Sequence, residues 1–197
     1  MRGIAGEPDG ATPLDPDDME GLKFRHVMTR GELNELEQAN ITNGLYWLDR
    51  ARKRDVLDAA WLRELHRRLF GEVWRWAGTF RRTEKNIGVD PSEIAPQLAM
   101  LLGDAGYWAE NNSYAPLEAG ARFHHRLVQI HLFPNGNGRH ARIAADVFMT
   151  DGFGHAPIDW AAGENIQSSG GRREAYIAAL RAADAGNYNP LLSFVGA

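Results

Sequence analysis

Apolar residues recur at intervals of three and four along most of the chain, which is the spacing of amphipathic α-helices. Stretches with this spacing predict helices over residues 33–48, 57–69, 94–108, 117–132 and 143–148. Two signals mark helix starts: the capping-box pattern from Thr29 to Glu32, and Asp90 followed by Pro91. The pattern therefore predicts a domain built from α-helices.

One segment departs from this pattern. Residues 78–89 hold β-branched and aromatic residues between glycines and have no helical repeat. Such runs are typical of short strands joined by a turn. We therefore expect a small β-hairpin here.

The sequence HLFPNGNGRHAR, residues 131–142, lies between two predicted helices. Gly136 and Gly138 allow backbone amides to surround an anion, and the N-terminus of the next helix adds partial positive charge. Arg139 and Arg142 are three residues apart, so both can project from that helix end. Because the arginine side chain suits phosphate oxygens, the loop is suited to bind a polyphosphate.

His131 precedes Gly136 by five residues. An imidazole beside a bound phosphorus centre can take the proton of an incoming hydroxyl. The residues alone therefore indicate phosphoryl or nucleotidyl transfer. A purely structural glycine turn is the alternative.

Composition is that of a single-domain soluble protein. The chain has 197 residues, 44% of them hydrophobic, and no cysteine, which excludes disulfides and thiolate metal sites. No apolar run approaches the roughly 20 residues of a membrane helix, and the start lacks the segments of a signal peptide. We therefore expect a cytoplasmic protein that does not bind membranes.

Negative charge is concentrated at the start of the chain. Residues 1–20 hold six acidic residues and one arginine, a net charge of −5, while the whole chain carries −4. Because prolines and glycines are also frequent there, we expect residues 1–28 to form an acidic, loosely ordered arm and residues 29–197 a single domain. The nearly neutral remainder argues against direct nucleic-acid binding.

The motif resembles the signature of the Fic family, HPFx[D/E]GNGRxxR. Seven of its nine fixed positions match, with Leu132 in place of the proline and Asn135 in place of the acidic residue. Residues 70–89 are similar to the family's segment leading into its substrate-docking flap, and residues 172–194 to the segment that closes many Fic domains. The stretch TRGELNELEQANI resembles the subgroup named mobile mystery protein B.

The resemblance implies an all-α, Fic-type helical domain with a small β-hairpin flap. It also implies transfer of AMP from ATP to a Ser, Thr or Tyr hydroxyl of a target protein. His131 would deprotonate that hydroxyl, and Phe133 would anchor the loop. The candidate ATP-binding residues are Gly136, Asn137, Gly138, Arg139 and Arg142, and the candidate flap residues that align a target are Ile87, Gly88 and Val89.

Asn135 is the main departure from the family pattern. The resemblance implies a metal ion, Mg²⁺ or Mn²⁺, held at this position by an acidic residue. Asparagine offers one neutral oxygen, so we expect weaker metal binding. The alternative interpretation is a nucleotide-binding pseudoenzyme or interaction protein that lost catalysis at Asn135.

Fic enzymes are often inhibited by a helix bearing [S/T]xxxE[G/N], whose glutamate pairs with the second arginine of the motif. The sequence has no intact copy. Glu35 and Glu37 of the first predicted helix are the candidate inhibitory residues, with Arg142 as the expected partner. The other candidate inhibitor is an antitoxin-like partner protein, which would make the chain the toxin of a toxin-antitoxin-like pair.

Two histidines near the motif have simpler interpretations. His125 lies on the apolar stripe of its helix, so we expect a hydrogen-bonded core residue. His140 lies between the two arginines in sequence, and we expect it to face solvent.

Overall fold

The computed structural model describes residues 12, 14–24, 26–27, 29–161, 166 and 170–196. Within these residues the chain is helical, which confirms the predicted all-α fold. The helices are α1 (Pro16–Glu20), α2 (Arg30–Arg50), α3 (Ala59–Phe70), α4 (Ile94–Asn111), α5 (Pro116–Ile130), α6 (Asn137–Phe153), α7 (Gly171–Asp184) and α8 (Asn189–Val195). None of the described helices is both long and apolar enough to span a bilayer.

Both predicted helix starts are present. At α2 the Thr29 hydroxyl accepts a hydrogen bond from the Glu32 amide at 3.2 Å, and the Thr29 amide donates to the Glu32 carboxylate at 3.0 Å. Asp90 accepts from the Ser92 amide at 2.8 Å and begins a short 3₁₀ turn, Pro91–Glu93, that leads into α4. These side chains satisfy amides that have no partner within the helix.

Helix α5 lies at the centre of the domain and packs against α4, α6, α7 and α8. Its Phe123 is fully buried and meets Phe148 of α6 with ring centroids 4.7 Å apart. Burying a side chain of this size contributes about 1.5–3 kcal/mol. Because α5 and α6 are held together along their lengths, the loop between them, residues 131–136, has a fixed position.

The hairpin predicted over residues 78–89 is not present, since this segment forms no strand. The buried side chain of Arg81 donates to the carbonyls of Thr83 at 3.0 Å and of Val89. It also donates to the His131 carbonyl at 2.6 Å, and the Arg81 amide donates to Leu132 at 2.9 Å. One guanidinium thus binds two carbonyl groups of this segment and joins the segment to the motif loop.

The described part of the acidic arm lies against the domain. Leu22 and Trp74 form an isolated antiparallel bridge. The Trp76 indole donates to the Asp18 carbonyl at 3.0 Å. Lys85, whose side chain is only 2% exposed, binds the carboxylates of both Asp15 and Asp18. The acidic residues therefore bind one buried cation of the segment that follows Arg81.

Candidate active site

His131 ends α5 in a left-handed conformation, with φ 57° and ψ 68°. A non-glycine residue in this region is uncommon and costs about 1–2 kcal/mol, so the surrounding structure must hold it there. The residue is 3% exposed, and its Cβ lies where a side chain on Gly88 would have to go, 2.7 Å from the position of such a Cβ. The strained backbone directs the ring into the site next to the motif loop.

The ring of His131 is neutral near pH 7. Burial, together with the positive charges of Arg81 and Lys85, lowers the pKa of His131 to about 4, although the Val128 carbonyl acts in the opposite direction. Nδ1 makes no hydrogen bond of normal geometry to a described residue. A neutral ring has one nitrogen lone pair available to accept a proton, as a general base requires.

Two side chains fix the shape of the loop. The Asn137 amide group accepts from the Phe133 amide at 2.9 Å and donates to the Phe133 carbonyl at 2.7 Å. His66 of α3 accepts from the Gly78 amide at 3.0 Å and donates to the Asn135 carbonyl at 3.1 Å, while its ring stacks on Phe133 at 3.7 Å. Burial holds the pKa of His66 well below its ordinary value, so its ring is neutral near pH 7. A neutral imidazole has one donor and one acceptor nitrogen, as these two hydrogen bonds require.

The start of α6 provides the amides expected to bind an anion. Gly136 has φ 79° and precedes the helix, so the amides of Asn137, Gly138 and Arg139 belong to its unpaired first turn. The Gly136 amide itself donates to the Asn135 side chain at 2.7 Å. These amides, with the helix dipole, form the kind of helix N-terminus at which an anion can bind.

Arg139 and Arg142 both lie at this end of α6 but have different partners. Arg139 forms an ion pair with Glu37 of α2 at 2.7 Å and lies over the Phe70 ring. Arg142 is buried and donates to the Tyr176 hydroxyl at 3.4 Å. The glutamate of α2 therefore pairs with the first arginine, and not with Arg142 as we expected. Glu35 is exposed on the same helix.

Tyr176 connects Arg142 to a buried histidine. Its hydroxyl lies 3.0 Å from Nε2 of His124, which is fully buried. Burial and the positive charge of Arg142 hold the pKa of His124 well below its ordinary value. The neutral imidazole supports the tyrosine that faces the guanidinium, so Arg142 is positioned by α5 and α7 together.

Asn135 does not provide a free metal ligand. Its Oδ1 accepts from the Gly136 amide, and its Nδ2 donates to the Thr12 carbonyl at 3.1 Å. No group of three or more histidine or acidic residues is arranged to hold a metal ion in the described chain. The side chains around the loop therefore fit a divalent metal poorly, and a metal here would depend on phosphate oxygens and water.

The predicted flap residues lie beside His131. Gly88 has φ 111° and contacts the His131 side chain, while Ile87 is 40% exposed. Gly88 and Val89 line a cavity of about 260 Å³ together with Glu84, Lys85 and Asp90. The segment thus adjoins His131, which is where an element that aligns an acceptor hydroxyl would have to lie, and it is irregular in structure.

Thr12 of the arm lies in the site, which the sequence analysis missed. Its hydroxyl is 3.0 Å from Nε2 of His131, and the residue is buried. No pattern in the sequence indicates this contact. The roles of His66, Tyr176 and His124 were also missed, although their burial on helix stripes was a detectable signal.

The two simpler histidine predictions had opposite outcomes. His125 is buried and bonds to the Tyr188 hydroxyl at 2.8 Å and to Asp184 at 2.9 Å, which confirms the core interpretation. The prediction for His140 is wrong, because its ring is buried and donates to the Leu62 carbonyl of α3 at 2.9 Å. It joins α6 to α3.

Residues 56–149 match the sequence model of the Fic/DOC family. This range contains the whole site apart from the residues that α2, α7 and the arm contribute. The chain belongs to this family. Protein adenylyltransferase Fic of Drosophila grimshawi is 31% identical over 136 residues, covering 67% of this chain and 26% of that protein. Protein adenylyltransferase fic-1 of Caenorhabditis elegans is 28% identical over 156 residues, covering 74% and 28%. The chain spans about a quarter of the length of these relatives.

Solved Fic structures share the fold. The BepC protein of Bartonella tribocorum, solved with bound AMPPNP, superposes with a TM-score of 0.70 at 17% identity, over 92% of this chain and 96% of that chain. The Fic domain of Bep8 from Bartonella sp. 1-1C has a TM-score of 0.68 at 16% identity, over 89% and 88%. At these identities the likeness establishes the Fic fold.

Proposed function

We propose that this chain is a protein adenylyltransferase, which moves AMP from ATP to a Ser, Thr or Tyr hydroxyl of a target protein. The observation that carries the proposal is the juxtaposition of a neutral, buried His131 with the anion-binding turn at the start of α6. The relatives named protein adenylyltransferase support the same activity.

The residues of the site have distinct roles in this proposal. The oxygen of the acceptor hydroxyl attacks the α-phosphorus of ATP, and pyrophosphate leaves. His131 Nε2 takes the proton of this hydroxyl. The α6 amides of Asn137, Gly138 and Arg139 bind phosphate oxygens, and Arg139 and Arg142 bind the β- and γ-phosphates. Ile87, Gly88 and Val89 align the acceptor segment. Mg²⁺ or Mn²⁺, bound mainly through the phosphates, would neutralise part of their charge.

Glu37 is the inhibitory residue in this proposal, because its carboxylate pairs with Arg139, one of the two arginines proposed to bind phosphate. An antitoxin-like partner, suggested by the resemblance to mobile mystery protein B, remains a second proposed source of inhibition.

Incubation of the protein with a cell lysate and ATP labelled at the α-phosphate tests the activity. Transfer of AMP labels protein bands that the His131→Asn variant does not label, whereas ATP labelled only at the γ-phosphate gives the same bands with both proteins, because these come from kinases of the lysate. The His131→Asn variant is the matched control, because asparagine tolerates the left-handed backbone and removes the base. Label that depends on His131 and comes from the γ-phosphate alone would indicate phosphotransfer and contradict the proposal.

The second candidate is a nucleotide-binding protein without transfer activity. Asn135 favours it, because a neutral side chain already engaged by the Gly136 amide replaces the family's acidic residue. Binding of ATP with no labelling of any protein, at any concentration of Mg²⁺ or Mn²⁺, would support this candidate.

A further inference from the structure

Thr12 occupies the position that an acceptor hydroxyl would take. Its Oγ1 is 3.0 Å from Nε2 of His131, within the hydrogen-bond distance required for transfer of its proton. Its carbonyl accepts from Asn135 Nδ2 at 3.1 Å. Both the side chain and the main chain of Thr12 are therefore oriented by residues of the motif.

The arm is anchored immediately after Thr12. Lys85, with a side chain 2% exposed, binds Asp15 and Asp18. Gly21 packs so closely on Trp76 that a Cβ there would lie 2.2 Å from the indole ring. Three residues span at most about 11 Å, so Thr12 stays near the site while Asp15 is bound.

The same anchor sets the direction from which the arm enters. Lys85 adjoins the proposed flap residues, and it lines the cavity with Gly88 and Val89. The arm thus reaches His131 past the segment that is expected to align a target protein. Thr12 is also the only Ser, Thr or Tyr among residues 1–28.

We propose that Thr12 is a modification site of this chain, adenylylated in cis by its own active site. In this step Thr12 Oγ1 forms a bond to the α-phosphorus of ATP, and the bond from that phosphorus to the oxygen bridging to the β-phosphate breaks. Pyrophosphate leaves with the electron pair, and the proton of the hydroxyl passes to His131 Nε2. The product is a phosphodiester between AMP and Thr12.

This inference rests on the proposed function, but it adds a specific acceptor and an order of events. Thr12 and an external hydroxyl cannot both contact Nε2 of His131. The arm is therefore the first acceptor, and external targets are modified only when Thr12 has left the site.

Mass spectrometry of the whole chain after incubation with ATP and Mg²⁺ or Mn²⁺ tests the inference. Trypsin releases residues 3–23 as one fragment, in which Thr12 is the only hydroxyl side chain, so added AMP is assigned without ambiguity. We expect one AMP on this fragment, formed with a rate constant independent of protein concentration, because the acceptor is intramolecular. The His131→Asn variant should give none.

Variants of Thr12 give the matched comparison. Thr12→Val keeps the shape and should abolish labelling of the fragment, while Thr12→Ser keeps the hydroxyl and should restore it. Thr42→Val removes a hydroxyl from the exposed face of α2 and should leave labelling of Thr12 unchanged. The Thr12→Val protein should also label lysate proteins faster than the wild type, because its site has lost one contact with the arm.

The remaining outcomes separate this inference from the proposed function. Labelling of lysate proteins by wild type with Thr12 never modified would overturn the inference and leave the proposed function standing. Labelling of lysate proteins by Thr12→Val, with no labelling of any protein or of Thr12 by the wild type, would mean that Thr12 blocks the site without accepting AMP. This result would also overturn the inference. Binding of ATP with no labelling by any variant would overturn both.

Discussion

Glu37 of α2 and Arg139 of α6 form an ion pair of 2.7 Å in which the glutamate side chain is 3% exposed. The second oxygen of Glu37 accepts from the Trp74 indole at 2.7 Å, so the carboxylate has a partner on each side. The pair joins α2 to the turn that is proposed to bind phosphate. In the proposed function, Arg139 exchanges this carboxylate for phosphate oxygens when ATP binds.

We therefore predict that Glu37→Gln increases nucleotide affinity. Glutamine keeps an acceptor for the Trp74 indole and removes the charge that competes for Arg139. A charge-assisted hydrogen bond contributes about 1.5–3 kcal/mol, so the dissociation constant of ATP, measured by calorimetry, should fall by about tenfold or more. Labelling of protein should rise with it.

Glu35→Gln is the matched control for this change, since Glu35 is exposed on the same helix. It should leave both ATP affinity and labelling unchanged. The melting temperature of Glu37→Gln shows whether the variant is folded as stably as the wild type. If it is, and its affinity for ATP is unchanged, the ion pair does not compete with nucleotide.

Replacement of His131 by asparagine should separate transfer from binding. Loss of a general base costs about 10²–10⁴ in rate, so labelling should fall by this factor while ATP affinity stays within about twofold of wild type. His155→Asn, at the opposite end of α6, should alter neither quantity. A parallel loss of ATP affinity in His131→Asn would assign this residue a structural role.

Asn135→Asp should lower the concentration of Mg²⁺ that supports half-maximal labelling. Aspartate adds a charged oxygen of the kind that Mg²⁺ prefers. It also removes the Nδ2 donor to the Thr12 carbonyl, so the arm should be held less firmly. Asn111→Asp adds the same charge at an exposed helix end and is the control. An unchanged metal dependence would show that residue 135 does not reach the metal.

Five of the eight described helices, α2 to α6, and the motif loop could be predicted from the sequence because their signals are local. The apolar repeat of Leu62, Leu65 and Leu69 specifies which face of α3 is buried, and two glycines and two arginines specify an anion-binding turn wherever the helix is placed. These signals need no knowledge of distant residues.

The failures all involve contacts between distant parts of the chain. The segment after Gly78 resembles a hairpin in composition, but Arg81 binds carbonyls of the motif loop fifty residues away. His140 was expected to face solvent because it lies between Arg139 and Arg142 in sequence, yet α3 supplies the Leu62 carbonyl as its partner. Thr12 reaches His131 across 119 residues of sequence, and no periodicity records such a contact.

Acidification should destabilise the fold between about pH 6.5 and pH 4. His66, His124, His131 and His140 are buried, and burial lowers the pKa of each, to about 4 for the last two. Below pH 6.5 the unfolded chain binds protons that the folded chain does not, so the free energy of unfolding falls. Each proton that the unfolded chain binds and the folded chain does not lowers the free energy of unfolding by about 1.4 kcal/mol for each unit by which the pH falls.

One buried carboxylate acts in the opposite direction. Burial raises the pKa of Asp146 to about 6, so the folded chain binds this proton more readily as the pH falls. Four histidines outweigh one aspartate, and urea unfolding at pH 7, 6 and 5 should give a steadily falling free energy. A free energy that is constant over this range would contradict the neutral state assigned to the histidines.

Gly136→Ala and Gly138→Ala should have opposite effects on stability, although only Asn137 separates the two glycines. Gly136 has φ 79°, and a Cβ there would lie 2.7 Å from the Phe70 ring, so alanine combines backbone strain with a clash. We expect the free energy of unfolding to fall by about 2–4 kcal/mol. Gly138 lies within α6, where the nearest atom to a new Cβ is 3.7 Å away, and alanine there should stabilise by up to about 1 kcal/mol. Urea unfolding of the two variants measures both values, and equal destabilisation would contradict the conformation assigned to Gly136.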